Sequence, residues 1–389
     1  MLKHMSPDRF LTDCWQKRPL FIPDALDRPE PVLTGDELAW LATLPDVESR
    51  LVFTDRSGSK PSYRLEEGPF KPAYLQALPE KDWTLLIQDV EKHLPDFRAW
   101  LNHFRFIPDW RIDDLMVSVA APGGSVGPHR DNYDVFLCQG EGTRTWSLGD
   151  PDSVLTDRAS QGLSLLQEYA ALQQHEASSG DVLYLPPGIP HWGVARSFCL
   201  TYSVGMRAPT RAELQAGANR VLYPDNEESR DPGGADVFYA DTDLRAGESH
   251  AGEISQQSLA RMRDQQLLDS SLDDAQLALV LGSVVTDPKA WLAPEADETF
   301  DLALWNKNGA DLPVHGMALI AWYDNSPTGI VFANGVALET SAAGLRFMRE
   351  LCSTRMASAA EIQELCQHGV GMGLLNWLLE QGVFDHGRA

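Results

Sequence analysis

Gly127-Pro128-His129-Arg130-Asp131 and, some sixty residues later, Pro186-Pro187-Gly188-Ile189-Pro190-His191 are the stretches on which the reading of this chain turns. The first sets a histidine and an aspartate two residues apart. On an extended strand such positions share a face and lie only about 7 Å apart. The second follows Gly180-Asp181-Val182-Leu183-Tyr184-Leu185, a turn and a β-rich run, and its stiff Pro-Pro-Gly corner is suited to hold His191 at the strand mouth.

Around these stretches the hydrophobic pattern is that of short strands. Residues 115–121, 134–139, 143–148, 181–185 and 198–206 are β-rich runs, punctuated by Pro122-Gly123-Gly124, Gly140-Glu141-Gly142 and Gly149-Asp150-Pro151. Evenly spaced short strands with Gly/Pro turns and no long intervening helix indicate an all-β sandwich or jelly roll, here with a barrel core over about 112–206.

The flanks are helical. Ser6 before Pro7 is a helix start, with Phe10, Leu11, Cys14 and Trp15 at helical spacing up to about Lys17, and residues 19–23 read as a brief strand. Thr34 and Glu37 form a capping-box pair, and Leu86, Val90, Leu94 and Phe97 predict one longer helix across 82–104. After the barrel, Thr210 and Glu213 open another helix, with further ones at 259–268 and 277–285, and 224–234 has the composition of a loop. The last hundred residues form an α+β unit, with β runs at 317–323 and 329–332, a hairpin signal at Asn334-Gly335 and helices near 342–351, 360–366 and 373–380. That order is compatible with a winged helix. The division expected is 1–207, 208–292 and 293–389.

Composition narrows the function. A chain of 389 residues suggests two or three domains, and 43% hydrophobic content with 11 Trp and 14 Phe is enough to build buried cores. A formal charge of −24 argues against a broad basic face for nucleic acid and suits a cationic partner. Residues 224–389 hold 10 Lys plus Arg against 26 Asp plus Glu, so the C-terminal unit is read as a protein-contact domain and not as a DNA binder. The five cysteines are scattered without a Cys-x-x-Cys pair, which indicates reduced thiols. The start of the chain has no apolar signal core, and no run reaches the roughly 18 residues of a membrane span, so a soluble, cytoplasmic protein is expected.

The chemistry rests on His129, Asp131 and His191. Two imidazoles and one carboxylate on one side of a metal, with open positions opposite, form the arrangement of non-haem Fe(II) oxygenases. A lone His-x-Asp is expected by chance in a chain this size, and an accidental surface histidine is the competing reading; the strand and corner context favours the metal. Arg144 is the second element. In normal alternation it shares the inner face with Trp146 and Leu148, where an arginine without an anion is costly, whereas a shifted register leaves it solvated. Its planar fork suits a co-substrate carboxylate. Ser118 can donate to the same carboxylate or be a satisfied core serine, and Thr201 is a similar, weaker candidate. Asp113-Asp114, near the expected mouth, can hold a cationic side chain or form a solvated turn.

At these residues the sequence resembles the JmjC-type 2-oxoglutarate oxygenases of the cupin superfamily, and among them the bacterial ribosomal oxygenases. The motifs are Trp15-Gln16-Lys17-Arg18-Pro19-Leu20, Pro108-Asp109-Trp110-Arg111-Ile112-Asp113-Asp114-Leu115-Met116, the run from Pro122 through His129-Arg130-Asp131-Asn132-Tyr133 to Phe136, Gly180 to Gly188, and Tyr202-Ser203-Val204-Gly205-Met206-Arg207-Ala208-Pro209. The resemblance implies an α+β chain: a double-stranded β-helix (JmjC/cupin jelly-roll) core with N-terminal helices, a helical dimerisation region and a C-terminal winged-helix-like domain. It implies Fe(II) at His129, Asp131 and His191, 2-oxoglutarate at Arg144 and Ser118, and O2 as oxidant. Thr201 stands where some relatives place an asparagine. The implied partners are a large-subunit ribosomal protein, hydroxylated on an arginine with release of succinate and CO2, and a second copy of the chain, with neither nucleic acid nor membrane bound.

Overall fold

The computed structural model describes residues 2–27, 33–94, 96–151, 157–160, 162–224, 236–296, 311–367 and 369–385. The chain separates into two compact units, one of residues 1–104 with 112–207 and the other of 105–111 with 208–389.

The first unit is a double-sheet jelly roll, as the spacing of its strands leads one to expect. It begins with the helix Pro7–Asp13, where the Ser6 hydroxyl accepts the Arg9 N–H at 3.3 Å and Pro7 occupies the first turn. The helix stops four residues short of Lys17. Phe10 packs on Phe136 and Tyr184, and Trp15 stacks on Tyr184, so the outer face of the larger sheet is closed. β1 (Leu20–Ile22) leads to the helix Gly35–Leu41, whose Thr34–Glu37 capping box is formed in both directions. The remaining strands are β2 (Ser49–Asp55), β3 (Ser62–Glu67), β4 (Trp83–Ile87), β5 (Ile112–Ala120), β6 (Asp134–Glu141), β7 (Arg144–Leu148), β8 (Asp157–Ser160), β9 (Leu163–Leu166), β10 (Gln173–Ala177), β11 (Val182–Leu185), β12 (His191–Ala195) and β13 (Cys199–Met206). They form an eight-stranded antiparallel sheet, order β1-β11-β6-β13-β5-β4-β2-β3, a three-stranded sheet, order β10-β7-β12, and the hairpin β8-β9.

One helix expectation fails here. Across 82–104 the chain makes β4, then the short helices Val90–His93 and Asp96–Trp100 and a 3-10 turn at Leu101–Phe104. Leu85, Leu86 and Ile87 are buried on both sides of β4, which lies between β2 and β5. A doubly buried strand reads as a continuous apolar run and loses the two-residue alternation. Asp89, at φ 55, breaks any helix running through it. The larger sheet thus recruits strands from before residue 112, beyond the core read from sequence.

Register assigns the faces. Residues directly opposite on antiparallel strands point the same way, so Ser118 of β5, Thr201 of β13 and Gln139 of β6 form one row across the larger sheet. Val135 and Leu137 of β6 meet Trp146 and Leu148 of β7 in one buried cluster with Leu183, Leu185 and Ile189. That cluster is the inner layer between the sheets.

In the second unit Thr210 and Glu213 cap the helix Arg211–Leu222, which packs against Asp274–Val285; a Cβ on Gly217 would stand 2.3 Å from Val284 Cγ2, so only glycine permits this approach. With Gln256–Asp264 these helices bury Leu214, Leu259, Leu277 and Leu281. Then come β14 (Leu312–Pro313), β15 (Ile320–Asn325), β16 (Thr328–Ala333) and β17 (Val336–Ser341), the helix Ala342–Thr354, β18 (Met356–Ala357), and the helices Ala359–Gln367 and Gly369–Glu380. Asn334 and Gly335 have φ 48 and 83 between the paired residues Ala333 and Val336, the two-residue I′ geometry that Asn-Gly favours. The loop read at 224–234 lies, from residue 225 on, outside the described residues.

Candidate metal centre

His129, Asp131 and His191 converge. One ligand atom from each can be chosen so that all three lie within 4.8 Å of one another, and they are the only such group of metal-ligating side chains among the described residues. His129 Nε2 is 3.9 Å from one Asp131 oxygen and His191 Nε2 3.6 Å from the other. The imidazole centroids are 4.2 Å apart.

The backbone fixes this geometry in a way the strand argument anticipated only in part. His129 and Asp131 belong to no continuous strand. Instead His129 makes a single antiparallel bridge with His191, donating its N–H to the His191 carbonyl at 3.0 Å and accepting the return bond at 2.8 Å. His191 is the first residue of β12, and the Gly188 N–H in the Pro-Pro-Gly corner donates to the Asp131 carbonyl at 2.7 Å. Gly127, at φ 88, turns the chain where a Cβ would stand 2.8 Å from Leu165 and 2.9 Å from Tyr63.

Each histidine is also locked in orientation. Nδ1 of His129 lies 2.9 Å from the Gly127 carbonyl and Nδ1 of His191 2.9 Å from the Ile189 carbonyl. A carbonyl only accepts, so each Nδ1 carries the proton and each Nε2 presents its lone pair toward Asp131. Burial, reinforced by neighbouring His129, pushes the His191 imidazole down to about 4 and so keeps it neutral near pH 7. Two imidazole nitrogens and one carboxylate at this spacing fit a divalent transition metal.

Arg144 opens β7 and lies on the inner face with Trp146 and Leu148, its guanidinium 5.5 Å from the Trp146 ring. It is 4% exposed, and its Nε and Nη2 are buried without a hydrogen-bond partner among the described residues. The residues opposite it on β10 and β12 are Ala177 and Ala195, both buried. A desolvated fork beside small side chains is the complement of a carboxylate. Ser118 and Thr201 face the same space from the larger sheet, but the Thr201 hydroxyl is engaged, donating to Gln139 Oε1 at 3.1 Å. Asp113 and Asp114 both lie within β5, whose register with β13 shifts between Gly205 and Met206: Asp114 pairs with Gly205 and is buried on the inner face, while Asp113 falls at the shift and is exposed. The two carboxylates thus sit in different surroundings, one buried and one exposed.

Three contributors escaped the sequence reading. Gln139 holds Thr201 while its amide donates to the carbonyls of Glu141 and Leu200; only strand register reveals that row. Gly193 stands opposite Trp146, where a Cβ would come 2.5 Å from the indole, so a glycine lets that ring lie beside His191. Tyr133, 44% exposed, rises two residues after Asp131, within electrostatic reach of Asp131 and Asp114; an exposed aromatic next to the triad is the signal that could have found it.

Similarity to known proteins points the same way. Residues 99–214 match the JmjC domain family. The ribosomal protein uL16 3-hydroxylase of Escherichia coli is 38% identical over 262 residues, 67% of this chain and 66% of that protein. A probable ribosomal oxygenase of Haemophilus influenzae is 35% identical over 273 residues, 69% of this chain and 64% of that one. The matched stretch thus spans just under two thirds of these curated relatives. Among solved structures, the E. coli ribosomal oxygenase YcfD in complex with cobalt and 2-oxoglutarate superposes with a TM-score of 0.74 at 28% identity, covering 100% of this chain and 99% of that one. No helix among the described residues is long and apolar enough to cross a membrane.

Proposed function

We propose, from the match of residues 99–214 to the JmjC domain family and the similarity to bacterial ribosomal oxygenases, that this chain is a JmjC-type Fe(II)- and 2-oxoglutarate-dependent protein hydroxylase. Its substrate on this reading is an arginine side chain of a large-subunit ribosomal protein, by analogy with the relative named for uL16. A second copy, met through the helical region 208–292, makes a homodimer; the 293–389 part is a winged-helix-like protein-contact domain, and the enzyme works in the cytoplasm, where ribosomal proteins are made.

One observation carries the proposal. Three candidate metal-ligand atoms lie together at one end of the inner layer, and a buried guanidinium with no anionic partner among the described residues lies four residues away along β7, whose Leu148 is in register with His191. Four strand residues span about 13 Å, a separation suited to a five-carbon diacid and an outstretched arginine placed end to end. His129, Asp131 and His191 would hold the iron through Nε2, a carboxylate oxygen and Nε2. Fe(II) there, with 2-oxoglutarate and O2, supplies oxidation of a substrate C–H bond to C–OH, with one oxygen atom going to succinate and CO2 leaving.

The residues do the remainder. Arg144 fixes the distal carboxylate, and Ser118 offers a hydroxyl on the opposite wall. Val135, Leu137, Trp146 and Leu185 line an apolar layer that keeps bulk water from the oxidant. Asp114, turned inward on the side of Tyr133, supplies a carboxylate for a cationic substrate side chain, and the overall negative charge steers a basic segment toward it.

The test is to incubate protein, Fe(II), 2-oxoglutarate and air with a uL16-derived peptide. The expected result is a mass gain of one oxygen on an arginine with matching succinate; no modified peptide and no succinate would refute the proposal. Residue-level fragmentation separates it from histidine hydroxylation or lysine demethylation of another protein. A non-catalytic metal-binding cupin predicts that Arg144→Ala changes nothing.

A further inference from the structure

The inner wall carries a second guanidinium that neither metal nor co-substrate binding uses. Arg50 of β2 is in register with Leu86 of β4, which is in register with Ser118 of β5, so its side chain stands on the inner face. It is half-buried, and its Nε is shut off from solvent without a hydrogen-bond partner among the described residues. Glu67 is its cross-strand neighbour on β3, yet no carboxylate among the described residues forms an ion pair with it.

Its surroundings define what would complete it. On the same side lie Val52, Tyr63 and Leu86, with Leu65, Met116 and Leu165 partly uncovered against them. This apolar bed is adjacent to the triad, since Gly127, two residues before His129, meets both Tyr63 and Leu165. Arg50 also lies within electrostatic reach of Tyr133, which feels the charges of Asp131, Asp114 and Asp113 as well. Arg50 is therefore a cation amid acidic groups that do not pair with it. Arginine cannot shed its proton to relieve desolvation, and an unpaired buried donor costs more than a paired one returns. An anionic group entering beside it would meet a partly desolvated cation, where a charge pair is stronger than in open water.

We propose that Arg50 is a specificity-determining residue that pairs with a carboxylate side chain of the polypeptide substrate, next to the residue being modified. Asp114 and Arg50 then present opposite charges to one bound segment, and together fix its direction and register. The proposal rests on the protein-hydroxylase reading and deepens it. A free anion gains little from an apolar bed, whereas an acidic residue within a peptide can use both.

The experiment measures binding of short fluorescein-labelled peptides by anisotropy. Each has a central arginine, and Glu, Ala or Lys is placed in turn at each flanking position; succinate release is followed in parallel. For the wild-type protein, Glu at one flanking position is expected to bind about tenfold tighter than Lys. Arg50→Gln should abolish that preference, and Arg50→Glu should invert it. Circular dichroism and retained 2-oxoglutarate binding exclude misfolding of the variants, and Arg50→Gln keeps the test available where the charge reversal does not fold. Equal binding of Glu and Lys peptides at every position, or a preference that survives Arg50→Gln, overturns the proposal. Absence of succinate with the Glu preference intact refutes the hydroxylase reading and leaves the Arg50 contact standing.

Discussion

Replacing Arg144 by methionine, which keeps most of the unbranched stem and removes the charge, should separate affinity for the co-substrate from the stability of the fold. In the protein without 2-oxoglutarate, the guanidinium is buried and two of its nitrogens lack partners among the described residues. Such a group costs about 1–3 kcal/mol, while its contact with the Trp146 ring returns about 0.5–2 kcal/mol. The melting temperature of the ligand-free protein is therefore expected to stay unchanged or rise slightly, contrary to the usual effect of altering a buried side chain. With 2-oxoglutarate the balance reverses. Two charge-assisted hydrogen bonds to a carboxylate are worth about 1.5–3 kcal/mol each, so the variant should lose about 3–6 kcal/mol of affinity, or roughly 10²–10⁴-fold in Kd. Arg144→Lys keeps the charge but not the fork and should fall between. The assay is a thermal shift of metal-loaded protein with and without 2-oxoglutarate, together with the KM for 2-oxoglutarate. A variant that keeps the wild-type KM and ligand-induced shift would mean that the co-substrate lies elsewhere.

Further expectations follow from the same geometry. Asp131→Ala and His191→Ala should each weaken Co(II) binding, followed by its visible absorbance, by more than the ~10–100-fold that changes outside the ligand set cost; metal binding equal to wild type would contradict the triad. Gly193→Ala drives a methyl to within 2.5 Å of the Trp146 ring. It should cost about 1–3 kcal/mol of stability and reduce metal affinity through the ring's contact with His191, measured by denaturant melts and the same titration; unchanged values would show that the ring yields freely. For acid sensitivity, burial lowers the His93, His103, His175, His191 and His315 imidazoles below their ordinary value, so the unfolded chain binds more protons than the folded one once the pH falls below about 6.5. Their neutral-form stability is complete above that pH and is lost as it falls toward the folded value of about 4 at His191, whereas Glu91, raised by burial, works in the opposite sense. Metal-free protein should therefore melt lower at pH 5 than at pH 7.5, and His191→Gln should shrink the difference; a variant with the full wild-type pH dependence would show that His191 is not held neutral by the fold.

Much of this architecture was legible because the barrel's turns and its chemistry share the same residues. The Gly127-Pro128 turn, the Pro186-Pro187-Gly188 corner and the histidines they carry are adjacent in sequence, so a local reading found the turns together with the side chains that converge. Arg144 was legible for a related reason: strand alternation with Trp146 and Leu148 sets its face, and the register of β7 kept that alternation. What failed was whatever depended on a partner strand. Leu86, Val90, Leu94 and Phe97 keep helical spacing, yet the first of them belongs to a strand buried between two others, and tertiary burial overrode the period. Asp113 and Asp114 read as a pair because they are neighbours in sequence, while a register shift between β5 and β13 leaves one exposed and the other buried. Gln139 and Gly193 carry no local signal at all, since their importance lies in what β13 and β7 place across from them.

The site's rigidity and its unrelieved charges belong to one economy of folding. Backbone bonds between His129 and His191, and from Gly188 to Asp131, hold the three candidate ligands together by main-chain atoms, and backbone carbonyls orient both imidazoles. A metal therefore meets ligands already oriented, and little side-chain freedom is left to lose on binding. The same rigidity prevents relaxation: Arg144 cannot swing out of the inner layer to water, because its strand is paired on both edges, with β10 and with β12. A fixed cation with no protein partner among the described residues, in a closed wall, is stable only because the rest of the sheet outweighs it, and each anion that fills the space relieves that cost. Metal and co-substrate should thus add to the stability of the fold as separate increments, each growing with the logarithm of its own ligand's concentration. A thermal-shift matrix over Co(II) and 2-oxoglutarate resolves them: the Arg144→Met variant should keep the metal increment and lose the co-substrate one, and Asp131→Ala should lose the metal increment first. A variant of Arg144 that lost both increments together would show that the guanidinium supports the triad's geometry rather than a carboxylate, and the division of labour argued from β7 would fall.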